Sequence, residues 1–205
     1  MVTAAVLGLL LGAQAPPPVP PQPPRPAPAR AGLSWQDADS LDLKIQTFEK
    51  RPRGAPPSGT VLVTEGELNS YLNLTLAGKM PAGLRDLDIR LDKDRLLAAG
   101  DVDFDQMRKK MPPTGPLNPI AFLGGRIPFD LRGRLITSQD GFGNLEFEHA
   151  RLGPVSLPVS FLAQCVASFS KTQENPQGFD ILSPFRLPYA LKRVRVQPGR
   201  LVLDF

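Results

Sequence analysis

Residues 61–77, VLVTEGELNSYLNLTLA, constrain the rest of the chain more than any other stretch. Thr64 stands where a helix N-cap is expected, and Glu67 three residues on completes a capping box. Val63 before the cap and Leu68 at the fourth helical position form a hydrophobic staple. Glu65 and Glu67 place negative charge where the helix dipole favours it. Leu68, Tyr71, Leu72 and Leu76 recur at helical spacing, so a helix over 64–77 carries one apolar stripe that must be covered. Gly78 and Pro81 end it.

The cover is legible further on, where the hydrophobic period drops to two. Leu87, Ile89 and Leu91 alternate with charged residues, 92–95 turns the chain, and Leu96, Ala98, Gly100, Val102 and Phe104 return. Residues 105–120 are basic and broken by proline, which predicts a loop or a short helix. Ile127, Phe129, Leu131, Gly133 and Leu135 form a third alternating run, and 145–152 a fourth after a glycine-rich turn at 140–144. A hairpin over 194–205 closes the chain around Pro198-Gly199. Two further helices are expected. Ala38, Leu41, Ile45 and Phe48 mark one over 34–50, and residues 51–59 then read as a loop. Pro158, with Val159, Leu162, Ala163, Val166 and Phe169 on one side, marks the other over 158–171. The expected fold is α+β, a curved antiparallel sheet of about six strands packed on two main helices, 64–77 and 158–171.

Composition adds a compartment. Residues 2–12 are apolar but too short to span a bilayer, and Ala13-Gln14-Ala15 follows as a small-residue cleavage site. Residues 1–15 therefore read as a signal peptide, and the absence of cysteine at the cleavage point argues against a lipoprotein. The protein is expected to be exported, periplasmic or otherwise extracytoplasmic. Many of the 24 prolines fall in the next stretch, so 16–32 reads as an extended linker, leaving 33–205 as a single domain. With 41% hydrophobic residues and one cysteine, that domain must be held by burial and not by disulfides.

Three motifs share a pattern: T-E-x-E-L-N-x-Y-L from Thr64 to Leu72, L-P-V-S-F-L from Leu157 to Leu162, and V-x-V-x-P-G-x-L-x-L from Val194 to Leu203. In this arrangement, about residues 60–205 resemble the secreted LmeA-type phospholipid-binding proteins and the YpmS-like envelope proteins. The resemblance implies a long sheet wrapped on helices, akin to half of a tubular lipid-binding domain. It carries no catalytic motif.

The chemistry-bearing residues give no catalytic or metal constellation. His149 is the only histidine and lies among glutamates, so it reads as a solvent-facing strand residue. Cys165 sits between apolar residues and reads as a buried, inert thiol. Asp86, Asp88, Asp101, Asp103 and Asp105, spaced by two, read as the polar face of a sheet. Asp92 and Asp94 lack a calcium-loop pattern. No cofactor, metal or nucleic acid is expected, and the mild net charge of +4 suits anionic headgroups. The expected function is non-enzymatic binding of a lipid or other apolar small molecule between sheet and helices. Candidate groove residues are Leu72, Phe104, Phe129, Leu131, Phe147, Phe161, Leu162, Val166, Phe169 and Tyr189. Arg108, Lys109 and Lys110 are candidates for a membrane surface, while Lys192, Arg193 and Arg195 read as the outer face of a strand. The alternative is an envelope interaction module with a filled core, its protein partner unspecified.

Overall fold

The computed structural model describes residues 32–50, 59–110, 124–170 and 175–205. The expected signal peptide, nearly all of the linker, and residues 111–120 of the basic loop lie outside these. So do the side chains of Lys110 and Phe169.

The chain forms α1 (Trp35–Glu49), β1 (Thr60–Thr64) and α2 (Glu65–Ser70), which runs on as a π-helical turn (Tyr71–Thr75). The hairpin β2 (Leu84–Asp92) and β3 (Arg95–Asp103) leads to α3 (Phe104–Lys110). Next come β4 (Arg126–Thr137), β5 (Phe142–Leu152), β6 (Val155–Ser156) and α4 (Val159–Phe169). The chain closes with β7 (Phe185–Arg186), a 3-10 turn (Pro188–Ala190), β8 (Arg193–Gln197) and β9 (Arg200–Asp204). The fold is α+β. Strands β2 to β6 pair in sequence as an antiparallel sheet, with β7 added on β5 as its sixth strand. A separate three-stranded sheet runs β1-β9-β8.

Sequence patterning missed this second sheet as a unit, because the residues of β1 read only as the lead-in to the helix cap. Its five residues run directly into the cap of α2, so the apolar residues before Thr64 serve a strand as well as a staple.

The capping box forms as the sequence implies. Thr64 Oγ1 accepts from Glu67 N at 3.2 Å, and Glu67 Oε2 accepts from Thr64 N at 2.9 Å. Glu67 does more than cap. Its other oxygen accepts from Ser40 Oγ at 2.5 Å and Lys44 Nζ at 2.6 Å, both on α1. The carboxylate is buried, and burial alone would raise its pKa; the bonds from Lys44, Ser40 and Thr64 outweigh that and hold it below the ordinary 4.5.

The polar face of α2 seals a sheet edge. β2 is the outermost strand of the six-stranded sheet, and its free edge is paired by side chains instead of by another strand. Glu65 Oε1 accepts from Leu91 N at 2.5 Å. Asn69 accepts from Ile89 N at 2.7 Å and donates to Ile89 O at 2.9 Å. Asn73 donates to Leu87 O at 2.7 Å. The spacing explains the match: four helical residues advance about 6 Å and two strand residues about 6.8 Å. Positions 65, 69 and 73 on the helix therefore meet 91, 89 and 87 on the strand.

The core lies between the two sheets and α1–α2. Ala38, Leu41, Ile45 and Phe48 are all buried, as the α1 periodicity requires, and the last three share one core cluster with Leu68, Tyr71, Leu72, Ile89, Leu131 and Leu203. The helix that shares the core with α2 is thus α1. Helix α4 packs on the margin: Leu162 is buried, Ala163 and Val166 are partly so, and Val159 is exposed. The sheet packs on helices as expected, with α1 adding a full buried stripe, whereas Leu162 is the one buried residue among the described side chains of α4.

Thr64→Ala should cost about 1 kcal/mol, the usual loss of an N-cap. Asn69→Ala should cost about 2 kcal/mol, because it strands both polar groups of Ile89 at a half-buried edge. Urea denaturation of the two variants tests the order as well as the size. For Glu67 the sign follows from its depressed pKa. Its contribution is complete above about 4.5 and is lost as pH falls through the lower folded value. The denaturation midpoint of Glu67→Gln should fall less steeply than the wild type's between neutral pH and pH of about 3.

Candidate functional site

An apolar slot of about 70 Å³ lies inside the core. Leu41, Ile45 and Phe48 of α1 form its roof. Leu96 and Leu135 of the large sheet, with Val63, Val194, Leu201 and Leu203 of the small one, form its floor and walls. The strap Leu187–Leu191 closes the remaining side, with Tyr189 facing in.

The strap has an unusual backbone. Tyr189 (φ 57, ψ 25) and Ala190 (φ 56) occupy the left-handed region in succession, though neither is glycine. Such residues cost on the order of 1–3 kcal/mol each and persist only where surroundings enforce them. Pro188 holds Leu187 extended at φ −64 and ψ 138. Leu187 N donates to Gly141 O at 2.7 Å, and Gly141 N donates to Lys192 O at 3.2 Å. Gly141 must be glycine: its φ is 76, and a Cβ there would sit 2.9 Å from Leu191 O.

Tyr189 also carries the site's one polar group. Its ring packs on Phe48 at 5.9 Å between centroids, and Phe48 in turn meets Phe205 at 4.9 Å. The Tyr189 hydroxyl is buried and has no hydrogen-bond partner among the described residues. Burial, followed by the negative charge of Glu49 and the neighbouring Tyr71, pushes its pKa well upward. Tyr71 is pushed up to about 12 by burial, then by Asp42 and Glu49. Both phenols are therefore neutral at physiological pH. Tyr189 offers an unused donor at an otherwise hydrocarbon wall.

The expected groove residues divide among several places. Only Tyr189 lines the slot. Leu72, Leu131 and Leu162 are buried in the continuous core, and Phe104 is buried with Met107 of α3. Phe129, Phe147 and Val166 are partly buried against that core, and Phe161 is half-buried on α4. This slot lies under the strap. Two signals marked it in the sequence: a proline before an aromatic, and a tyrosine amid leucines with no polar neighbour to satisfy it.

The other candidates sit on the surface. His149 Nε2 meets Asp130 Oδ1 at 2.9 Å, and Arg151 meets the other Asp130 oxygen at 3.4 Å. Asp86 and Asp101 converge on Arg126, with Asp86 set apart from Asp88 by a bulge in β2. Arg108 pairs with Asp105 on α3, and Lys109 is exposed. Cys165 is partly buried, and burial raises its thiol pKa, which keeps it protonated. Among the described residues no group of three His, Cys, Asp or Glu side chains is placed to hold a metal, and no helix is long and apolar enough to cross a membrane.

Tyr189→Phe removes the stranded hydroxyl while keeping the ring. It should stabilise the protein by about 1 kcal/mol, because a buried donor without a partner carries its full desolvation cost. A rise in the urea midpoint at unchanged slope is the expected reading; a fall means the hydroxyl has a partner in solution.

No family model, no curated protein and no solved structure matches this chain.

Proposed function

We propose that the protein is a non-enzymatic, extracytoplasmic binding protein that holds the hydrocarbon part of a lipid or similar apolar ligand beneath the strap 187–191. The observation that carries this reading is a slot with hydrocarbon walls, one unused hydroxyl and a strained covering segment. That combination suits an apolar ligand with one acceptor group, since a few placed polar groups on an apolar lining give orientation and specificity. The leader-like segment 1–15 and the likeness of residues 60–205 to LmeA-type and YpmS-like proteins support the same role.

The volume favours a second reading. At about 70 Å³ the slot is far below the several hundred Å³ of ordinary ligand sites. Under the first reading this is the closed form, and the strap moves to admit a chain. Under the second the core is filled, and the protein is an envelope interaction module.

Native mass spectrometry of protein gently purified from its own envelope separates the two. Leu96→Phe, which fills the slot from the sheet side, should abolish retained lipid at a modest cost in stability, about 1–3 kcal/mol for overpacking. Phe161→Ala, away from the slot, should leave retained lipid unchanged. Wild-type protein that carries no lipid, and binds no added fatty acid, gives the interaction module its place.

A further inference from the structure

The inner slot has a counterpart outside. Leu135 and Val194, which wall the slot, also line a hollow of about 190 Å³ on the far side of the same seam between the sheets. Here the end of β4, Arg134 to Thr137, runs beside β8, and Asp94 from the β2–β3 turn closes the hollow.

β8 is an edge strand, yet its edge is not open for pairing. Val194 O accepts from Thr137 Oγ1 at 2.8 Å, and Val194 N donates back to the same oxygen at 3.3 Å. Val196 O accepts from Asp94 N at 3.2 Å. With that backbone occupied, the hollow presents guanidinium groups. Alternation on β8 turns Val194 and Val196 inward and Arg193 and Arg195 outward, while Arg134 and Ile136 are exposed on β4. Arg195 is held by Asp204 at 3.1 and 3.2 Å. The side chains of Arg134 and Arg193 make no hydrogen bond or ion pair among the described residues; Glu146 lies opposite Arg134 in register, and Asp204 opposite Arg193 feels its charge without pairing to it. Asp94 makes no ion pair with any of the three. Two guanidinium forks thus retain their donors at one concave site. No aromatic side chain lines it to stack a nucleobase.

We propose that this cleft binds a phosphate-type anion through Arg134 and Arg193, with Arg195 held beside them by Asp204. The geometry of a guanidinium suits the paired oxygens of a phosphate. The anion is either free or the headgroup of an amphiphile, whose chain would reach the slot across the seam formed by Leu135 and Val194. The headgroup form rests on the apolar-ligand reading above; the free-anion form does not.

The test uses the full chain, its Arg134→Gln/Arg193→Gln variant, and an Arg85→Gln/Arg90→Gln control that removes the same charge on exposed β2 positions. Inorganic phosphate is titrated by amide chemical shifts, and flotation is run on phosphatidylcholine vesicles with and without phosphatidate. The cleft variant should bind about tenfold more weakly, and the control within about twofold of wild type. Saturable phosphate shifts at 134–137 and 193–196 establish the free anion. Phosphatidate-dependent flotation without a phosphate response establishes the headgroup. If neither probe binds, or both variants weaken binding equally, the proposal is overturned. Phosphate binding by a protein that never carries lipid leaves this cleft standing and removes the apolar-ligand reading. Retained lipid with no anion response at the cleft does the reverse.

Discussion

The free edge of β2 is the constraint on which the rest of the structure turns. An unpaired edge strand must have its N–H and C=O groups satisfied or covered, and here a helix supplies the partners. Glu65, Asn69 and Asn73 take the place of a neighbouring strand for Leu91, Ile89 and Leu87. That fixes α2 parallel to the edge and sets its register to within a residue. The buried stripe of Leu68, Tyr71 and Leu72 then has one orientation available, into the space between the sheets. The β8–β9 turn completes the junction. Gly199 N donates to Leu91 O at 2.9 Å, and Gly199 O accepts from Glu65 N at 3.0 Å, so one residue links the small sheet to both the helix and the large sheet.

Glu67 sits at the centre of the same junction with a different task. It joins the end of β1, the first turn of α2 and the middle of α1 through one carboxylate. A charge buried this well is tolerated because its hydrogen-bond capacity is met on every side, including by Lys44, whose ammonium also donates to Leu62 O at 2.7 Å. Ser34 N, at the start of α1, donates to Ser70 Oγ on α2 at 3.0 Å. The two core helices are therefore tied by polar contacts at specific residues. Apolar packing alone would let them slide.

Local signals in the sequence were sufficient for much of this. The capping box, the α1 stripe and the alternation in β2 to β5 each depend on residues within a few positions of one another. β1 was hidden because its pairing partner, β9, is about 140 residues away by chain, with Thr60 opposite Asp204. The edge-sealing asparagines were visible as residues but not as a ladder, since their meaning depends on which strand lies outermost. Asn73 in particular reads as an ordinary surface residue of a helix until β2 is known to run beside it. The slot under the strap was not foreseen for a similar reason. The sequence showed that large apolar side chains share a side, and α4 offered small residues beside aromatics. Which helix covers the core was settled by the polar ties from α1 to Glu67, and no periodicity encodes them.

Those ties also decide which wall of the slot can move. The roof is α1, locked by Glu67, Ser40 and Lys44; the floor is two hydrogen-bonded sheets. The strap has far less holding it. Upstream lies β7, two residues long and paired only with Phe142 and Gly143, and downstream the chain passes at once into β8. Segments with few buried contacts and little regular pairing open at lower free energy than the core around them. The strap also has something to gain. Opening releases two left-handed residues and gives the Tyr189 hydroxyl access to a partner, each worth on the order of 1–3 kcal/mol. Against this stands the exposure of Leu187, Tyr189 and Leu191, roughly 1.5–3 kcal/mol for each side chain fully uncovered. The two sums are of similar size. Under the proposed apolar-ligand reading, a hydrocarbon chain that replaces the lost apolar contacts while the relief is kept tips the balance toward an open, occupied slot. The same arithmetic applied to α1, with a buried carboxylate to strand and no strain to relieve, keeps the roof shut.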